Sequence, residues 1–140
     1  MTEVIAKIDR SHYKTIIVSG KHEIIVDEPE PFGKDEGPTP YDFILIALGG
    51  CIATTLRMYA DRKEMNLEAV EVRLTQEKMH AEDCKDCKSK DRFVQKINVA
   101  VKIKGDLSEE QKARLFEIAE KCPVHKTLIN EIKIKTIRLD

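Results

Sequence analysis

The sequence predicts an α+β protein. Short β-branched or alternating segments predict strands on both sides of one long apolar helix, and two further helical segments follow near the C-terminus. The predicted order of elements is βββ-α-ββ-αα-β, with the long helix buried at the centre. The 140 residues, of which 41% are hydrophobic, are enough for one core, so we expect a single domain over residues 1–140.

The N-terminal region predicts a strand meander followed by a loop. Residues 3–10 and 14–26 carry β-branched runs, and Gly20 is placed for a turn between two of them. The next segment, 27–40, holds four of the five prolines of the chain, which is typical of an extended loop.

A long helix is predicted from Pro40 to about Met65. Thr39 can cap its N-terminus, and proline is favoured at the first helical position. Between Phe43 and Leu56 the helix is apolar on every face, so it must be enclosed on all sides. A chain of this size predicts that a second copy supplies part of that enclosure, as a homodimer. The apolar run is shorter than the roughly 20 residues of a membrane span, so no membrane partner is expected.

Two alternating segments after the helix predict a long antiparallel hairpin. Apolar residues alternate with polar ones over 70–74 and again over 97–103, as in half-buried strands. The almost wholly polar segment 78–93 forms the predicted tip.

Two helices and a strand are predicted to close the chain. Ser108 with Gln111 has the spacing of a capping box, and the helix that it starts continues to about Lys121. Pro123 begins a short helical turn through Leu128. Residues 131–140 alternate again and predict a terminal strand.

The charge pattern argues against nucleic acid as a partner. The net charge is -1, and lysines and glutamates are interspersed without a basic stripe. The first ten residues contain acidic and basic side chains, unlike the apolar region of a signal peptide, so a cytoplasmic protein is expected. Cysteines in that compartment are more often catalytic, redox-active or metal-binding than structural.

Cys122 precedes Pro123 and therefore takes an N-cap position. Unpaired helix amides, with His125 and Lys126 in the same turn, favour a low thiol pKa there. The alternative is that Cys122 is a small hydrophobic side chain filling a helix junction.

Cys51 lies in the apolar helix directly after Gly49 and Gly50. Each glycine costs about 1 kcal/mol of helix propensity and is tolerated where a backbone or a small substrate approaches closely. Cys51 is therefore either a reactive thiol or inert packing. A reactive Cys51 would require a cation within a few ångströms.

Cys84 and Cys87 form a C-x-x-C pair, with His80 four residues earlier. These three side chains are zinc-ligand types, and Asp83, Asp86 or a partner chain could complete four ligands. An exposed, reducible dithiol and a pair of ordinary surface thiols are the alternatives.

The sequence resembles the OsmC/Ohr family, named for osmotically inducible protein C and the organic hydroperoxide resistance protein. The motifs that carry the resemblance are "GPTPYDFILIALGGC", residues 37–51, and "LFEIAEKCPVHKTL", residues 115–128. It implies the OsmC-like fold, an intertwined homodimer and two equivalent sites at the dimer interface.

The resemblance also implies a peroxidase that requires no cofactor. Cys51 matches the cysteine that attacks an organic hydroperoxide and becomes a sulfenic acid, and Cys122 matches the resolving cysteine. A dithiol of the dihydrolipoyl type would reduce the resulting disulfide. The implied substrate-binding residues are Phe43, Ile44, Leu48, Ile52 and His125.

Active family members hold the thiolate with an arginine and a glutamate. Arg10 matches the arginine by its distance before Pro40. Tyr41 stands at the glutamate position, and Asp42 follows it. This departure leaves an alternative open, in which a dimer of this fold has no peroxidase turnover and binds a metal, exchanges thiols or binds a small apolar ligand.

Overall fold

A computed structural model describes residues 2–85, 87–88 and 93–140, and it confirms the α+β class. The strands are β1 (Ile5–Lys7), β2 (Thr15–Ser19), β3 (His22–Val26), β4 (Leu67–His80) and β5 (Phe93–Gly105). The helices are α1 (Pro40–Arg62), α2 (Glu109–Ala119) and α3 (Pro123–Ile129), and a single 3₁₀ turn, Ala81–Asp83, follows β4.

The chain divides into two compact units, Met1–Ile46 and Ala47–Asp140. Helix α1 begins in the first unit and ends in the second. The expectation of one domain over residues 1–140 stays a prediction.

The first unit contains the predicted meander. Strands β1, β2 and β3 form an antiparallel sheet in that order. Gly20 has a φ of +60°, the left-handed conformation that the tight turn between β2 and β3 requires.

A buried carboxylate organises the loop between β3 and α1. Asp27 is 2% exposed. Its side chain accepts hydrogen bonds from the backbone N–H groups of Glu28 at 2.8 Å and Glu36 at 3.1 Å. These backbone hydrogen bonds lower the pKa of Asp27, and the one from Glu28 has the largest effect. The charged carboxylate therefore substitutes for the hydrogen bonds that regular secondary structure would give this loop.

The ends of α1 follow from local hydrogen bonds. The Asp42 N–H donates to the Thr39 hydroxyl at 3.2 Å, and the Thr39 N–H donates to the Asp42 carboxylate at 3.0 Å, a reciprocal cap. The helix ends at Arg62, slightly before the predicted Met65, because Glu64 takes a left-handed φ of 55°. The Met65 N–H then donates to the Ala60 carbonyl at 2.8 Å, as in a Schellman motif.

One face of α1 is buried and another is uncovered in the single chain. Its buried residues are Leu48, Ile52, Leu56, Tyr59 and Ala60. Gly50, Thr54 and Met58, spaced four residues apart, are exposed. The helix is also long and apolar enough to cross a membrane, but this is weak evidence, because the core helix of a water-soluble protein has the same properties.

The second unit holds the hydrophobic core and the predicted hairpin. Strands β4 and β5 pair antiparallel from Leu67↔Gly105 to His80↔Phe93. Helix α2 packs on α1 through Leu115, which is fully buried. The predicted capping box is confirmed, because Ser108 and Gln111 exchange side-chain and backbone hydrogen bonds.

The predicted terminal strand is wrong for this single chain. Residues 131–140 form no strand, and their apolar side chains are exposed, as at Ile134 (86%) and Leu139 (95%). A strand needs a hydrogen-bonding neighbour as well as an alternating sequence, and no strand within the described ranges pairs with this segment.

Candidate active site: the Cys51 and Cys122 thiols

The second unit brings two free thiols together. Cys51, half-buried, lies in the middle of α1, and Cys122, fully buried, lies at the start of α3. Each side chain shifts the pKa of the other, so the two thiols lie near one another. The two residues are far apart in sequence, so their proximity results from the packing of α1 against the junction between α2 and α3.

The local structure around Cys122 follows from Pro123. Cys122 has an extended conformation and caps α3, with Pro123 in the first turn. Its sulfur accepts a hydrogen bond from the backbone N–H of His125 at 3.3 Å. The predicted N-cap position is therefore confirmed.

The two thiols differ in acidity. Burial raises the pKa of Cys51, but hydrogen bonds with the backbone of Val124 and the side chains of Cys122 and Thr55 outweigh it and hold the pKa below its ordinary value. The Thr55 hydroxyl lies 3.9 Å from the Cys51 sulfur. Cys51 is therefore the thiol that ionises more readily.

The expectation of a low pKa at Cys122 is wrong. Burial raises its pKa, and the neighbouring Cys51 raises it further, while the N–H of His125 lowers it only in part. A fully buried sulfur loses more hydration on ionising than one cap hydrogen bond returns. Ionisation of Cys122 is therefore less favourable than that of an ordinary thiol.

Hydrogen-bond donors stabilise the Cys51 thiolate, a role that the sequence analysis assigned to a cation. These donors were not identified from the sequence. Thr55 follows Cys51 by four residues, so the helical repeat places it on the same face, and this spacing could have identified it. The backbone N–H of Val124 could not have been found, because it depends on the tertiary packing of α3.

A cavity of about 200 Å³ lies in the second unit, and Ile52, the residue after Cys51, is in its wall, although neither thiol lines it. Its walls come from α1, β5, α2 and α3, and the lining residues are Ile52, Ile97, Val99, Val101, Phe116, Ala119, Glu120 and His125. The cavity is apolar except for Glu120 and His125, so it suits a small organic molecule with a polar end.

Two of the predicted substrate-binding residues are in the wall of the cavity. Ile52 and His125 line the cavity. Leu48 lies in the hydrophobic core, and Phe43 and Ile44 are half-buried residues of the first unit. Their roles in binding a substrate stay predictions.

Arg10 and Asp42 belong to the first unit. Arg10 is exposed between β1 and β2. The Asp42 carboxylate is engaged by the Thr39 backbone in the cap of α1. Tyr41, at the glutamate position of the family, is 58% exposed. The catalytic roles of Arg10 and Asp42 stay predictions.

The third cysteine-containing segment forms a disulfide. Cys84 and Cys87 are bonded to one another, and the His80 ring stacks on Phe93 with 4.8 Å between ring centroids. Over residues 2–85, 87–88 and 93–140, no group of three or more histidine, cysteine or acidic side chains is arranged to hold a metal. Asp86, a candidate fourth ligand, lies outside the described residues.

Comparison with solved structures shows the same fold in several proteins. An OsmC-like protein from Mycoplasma pneumoniae is 20% identical, with a TM-score of 0.72 over 91% of this chain and 86% of that chain. The organic hydroperoxide resistance protein OsmC from Legionella pneumophila is 17% identical, with a TM-score of 0.66 over 92% and 89%. The organic hydroperoxide resistance protein OhrB of Bacillus subtilis is 20% identical, with a TM-score of 0.62 over 96% and 95%.

These identities establish the fold alone. A comparison with curated protein sequences finds no significant match. The family model described as OsmC-like protein matches residues 33–137, which include both motifs and both free thiols. The chain therefore belongs to the OsmC-like protein family.

Proposed function

We propose that this protein is a thiol peroxidase that reduces organic hydroperoxides. The observation that carries the proposal is the proximity of Cys51 and Cys122, which shift one another's pKa, together with the opposite directions of those shifts. Burial raises the pKa of both thiols. Only at Cys51 do hydrogen bonds outweigh burial, and the hydrogen bond with the Val124 backbone has the largest effect among them. One sulfur is thus poised as a nucleophile, and the other holds a proton next to it. The hydroperoxide resistance proteins of the same fold support this reading.

The reaction begins at Cys51. Its thiolate attacks the terminal oxygen of the hydroperoxide, the O–O bond breaks, and the organic alkoxide takes up a proton and leaves as an alcohol. Cys51 is then a sulfenic acid. Since Cys122 holds a proton beside this sulfur, it is a suitable donor for the leaving alkoxide.

The second step joins the two sulfurs. The Cys122 sulfur, now a thiolate, attacks the Cys51 sulfenic acid, the S–O bond breaks, and the leaving hydroxide takes a proton from solvent and departs as water while the disulfide forms. An external dithiol of the dihydrolipoyl class then returns two electrons and restores both thiols. This step joins two side chains that the fold already holds near one another.

The cavity supports an organic rather than an inorganic peroxide as the substrate. Ile52, Val99 and Phe116 provide apolar contacts that hydrogen peroxide cannot use. The thiolate in this proposal relies on the Val124 backbone and the Thr55 hydroxyl, so a tyrosine at position 41 is compatible with turnover.

The proposal includes a homodimer. The exposed α1 face that contains Gly50 and Met58 would leave apolar surface in water, and a second copy is the simplest cover for it. Light scattering after gel filtration should give twice the mass of one chain. A mass of one chain at micromolar concentrations would refute the dimer.

Peroxidase assays test the enzyme directly. Wild-type protein should consume cumene hydroperoxide with dihydrolipoamide as the reductant, and Cys51→Ser should abolish turnover. Cys122→Ser should accumulate a Cys51 sulfenic acid that dimedone traps, with turnover strongly reduced. A Cys84→Ser/Cys87→Ser variant is the matched control and should retain turnover. No consumption above that of free dithiol, together with an unmodified Cys51, would refute the proposal.

A second candidate function is the binding of a small apolar ligand without turnover. The cavity favours this function, because the single chain already contains the cavity, which Ile52 and His125 line. Mass spectrometry after one equivalent of peroxide separates the two functions. A modified Cys51 supports catalysis, and an unmodified Cys51 in a protein that binds apolar ligands supports binding. The cytoplasmic location stays a prediction.

A further inference from the structure

The Cys84–Cys87 pair lies at the tip of the β4–β5 hairpin, outside the candidate active site. The two residues are bonded in a disulfide with 5.5 Å between their Cα atoms. Cys84 is half-buried and Cys87 is exposed. Cys87 is therefore the residue of the pair that is more accessible to a reagent in solution.

This disulfide contributes little to holding the fold together. It joins residues three apart within one connection, after the ladder has ended at His80↔Phe93, so it does not link β4 to β5. The stabilisation that a disulfide gives through the unfolded chain grows with the length of the loop it closes, and this loop is very short. The stabilisation expected from this disulfide is thus at the low end of what disulfides give.

The pair also lies too far along the hairpin to react with Cys51 of its own chain. A Cβ atom on Gly49 would lie 2.8 Å from the Leu74 side chain, so α1 crosses β4 at about that level. The ladder runs without interruption from Leu74 to His80, about 20 Å at 3.3 Å per residue, and Cys84 follows beyond. Thiol–disulfide exchange requires direct contact between sulfurs.

We propose that Cys84 and Cys87 form a second thiol–disulfide exchange site, whose substrates are external dithiols of the dihydrolipoyl class and the cyclic disulfides that they become. It is independent of the peroxidase proposed above. A thiolate of the dithiol attacks the exposed Cys87 sulfur, the bond between the two cysteines breaks, and Cys84 leaves as a thiolate that takes a proton from water.

The second half of the exchange releases the reductant. Its other thiol attacks the sulfur bonded to Cys87, forms the cyclic disulfide and frees Cys87 as a thiolate that is then protonated. Two electrons pass from the dithiol to the pair. A cyclic disulfide in excess drives the same steps backwards and restores the bond between Cys84 and Cys87.

The first experiment uses the Cys51→Ser/Cys122→Ser variant, in which the tip pair holds the only cysteines. Folded protein is titrated with dihydrolipoamide without oxygen, and alkylated cysteines are counted by mass spectrometry. Two alkylated thiols per chain should appear and disappear again with excess lipoamide. The Cys84→Ser/Cys87→Ser variant, reacted in parallel, should show no change at the tip. A pair that stays oxidised in about 100-fold excess dithiol, or never reoxidises, would overturn the proposal.

The second experiment tests whether Cys87 is the more accessible of the two cysteines, as the proposed order of steps requires. In the same background, Cys84→Ser leaves only Cys87, and Cys87→Ser leaves only Cys84. Cys87 should form a mixed disulfide with a small aromatic disulfide at least about 10-fold faster than Cys84, because Cys87 is the more exposed. Equal rates would contradict the proposed order of steps. One bound zinc per chain after reduction, with exchange blocked, would overturn the site in favour of a metal. Neither experiment uses peroxide, so failure here is distinct from failure of the peroxidase.

Discussion

Ile52 is a core residue directly after Cys51, and shortening its side chain should lower the free energy of unfolding substantially. Its side chain is 1% exposed, follows Cys51 directly and lines the cavity. Ile52→Ala removes three carbon atoms, worth about 2.4 kcal/mol at about 0.8 kcal/mol each. The cavity that the surrounding side chains cannot fill lowers the free energy of unfolding further, so we expect Ile52→Ala to lower it by about 3–4 kcal/mol in total. Ile52→Val removes one carbon and should cost about 1 kcal/mol.

Urea unfolding at one fixed protein concentration measures both variants. With a slope of about 2 kcal/mol per molar, Ile52→Ala should lower the midpoint by about 1.5 M and Ile52→Val by about 0.5 M. Leu115→Ala, at a fully buried position in the same core, is the reference for a close-packed site. If Ile52→Ala costs less than about 1 kcal/mol while Leu115→Ala costs several, the packing described around Cys51 is incorrect.

Three further predictions follow from individual hydrogen bonds. Thr55→Val should raise the pKa of Cys51, because one of the hydrogen bonds that lower this pKa against the effect of burial is removed. In a Cys122→Ser background, the pH dependence of Cys51 alkylation should shift to higher pH. An unchanged pH dependence would show that the 3.9 Å contact has no effect on the pKa. The lowered pKa of Asp27 stabilises the folded protein at pH values above the pKa of an unfolded aspartate, and this stabilisation is lost as the pH falls through the folded-state pKa. Asp27→Asn should therefore make the melting temperature depend less steeply on pH in the acid range. A dependence as steep as that of wild type would exclude this role of Asp27. Ser108→Ala should lower the free energy of unfolding by about 1 kcal/mol through loss of the α2 cap, whereas Ser108→Thr, which keeps a hydroxyl, should lose less.

Local features of the fold could be predicted from the sequence. The capping box at Ser108, the turn at Gly20 and the N-cap at Cys122 each depend on neighbouring residues, so a short segment contains the necessary information. The long hairpin was predictable for a similar reason, because alternation over both strands specifies which side chains face the core.

Features that depend on distant parts of the chain could not be predicted in the same way. The acidity of Cys51 and Cys122 depends on burial and on an N–H from α3, which only tertiary packing supplies. The sequence of residues 131–140 alternates as a strand does, but no sequence pattern shows whether a neighbouring edge exists. The family resemblance implied the roles of Cys51 and Cys122, and the packing supplies the physical reason why the pKa of Cys51 is lowered and that of Cys122 is raised.

The β4–β5 hairpin is anchored at one end only, and this has a consequence for how the protein opens in the native state. Leu67 is buried in the core, whereas no residue from Gln76 to His80 is. Backbone amides should therefore exchange with deuterated water slowly near Leu67 and progressively faster toward His80. The outer hairpin can fray and close again while the core around Cys51 stays protected, so a chemical change at the tip need not reach the buried thiols.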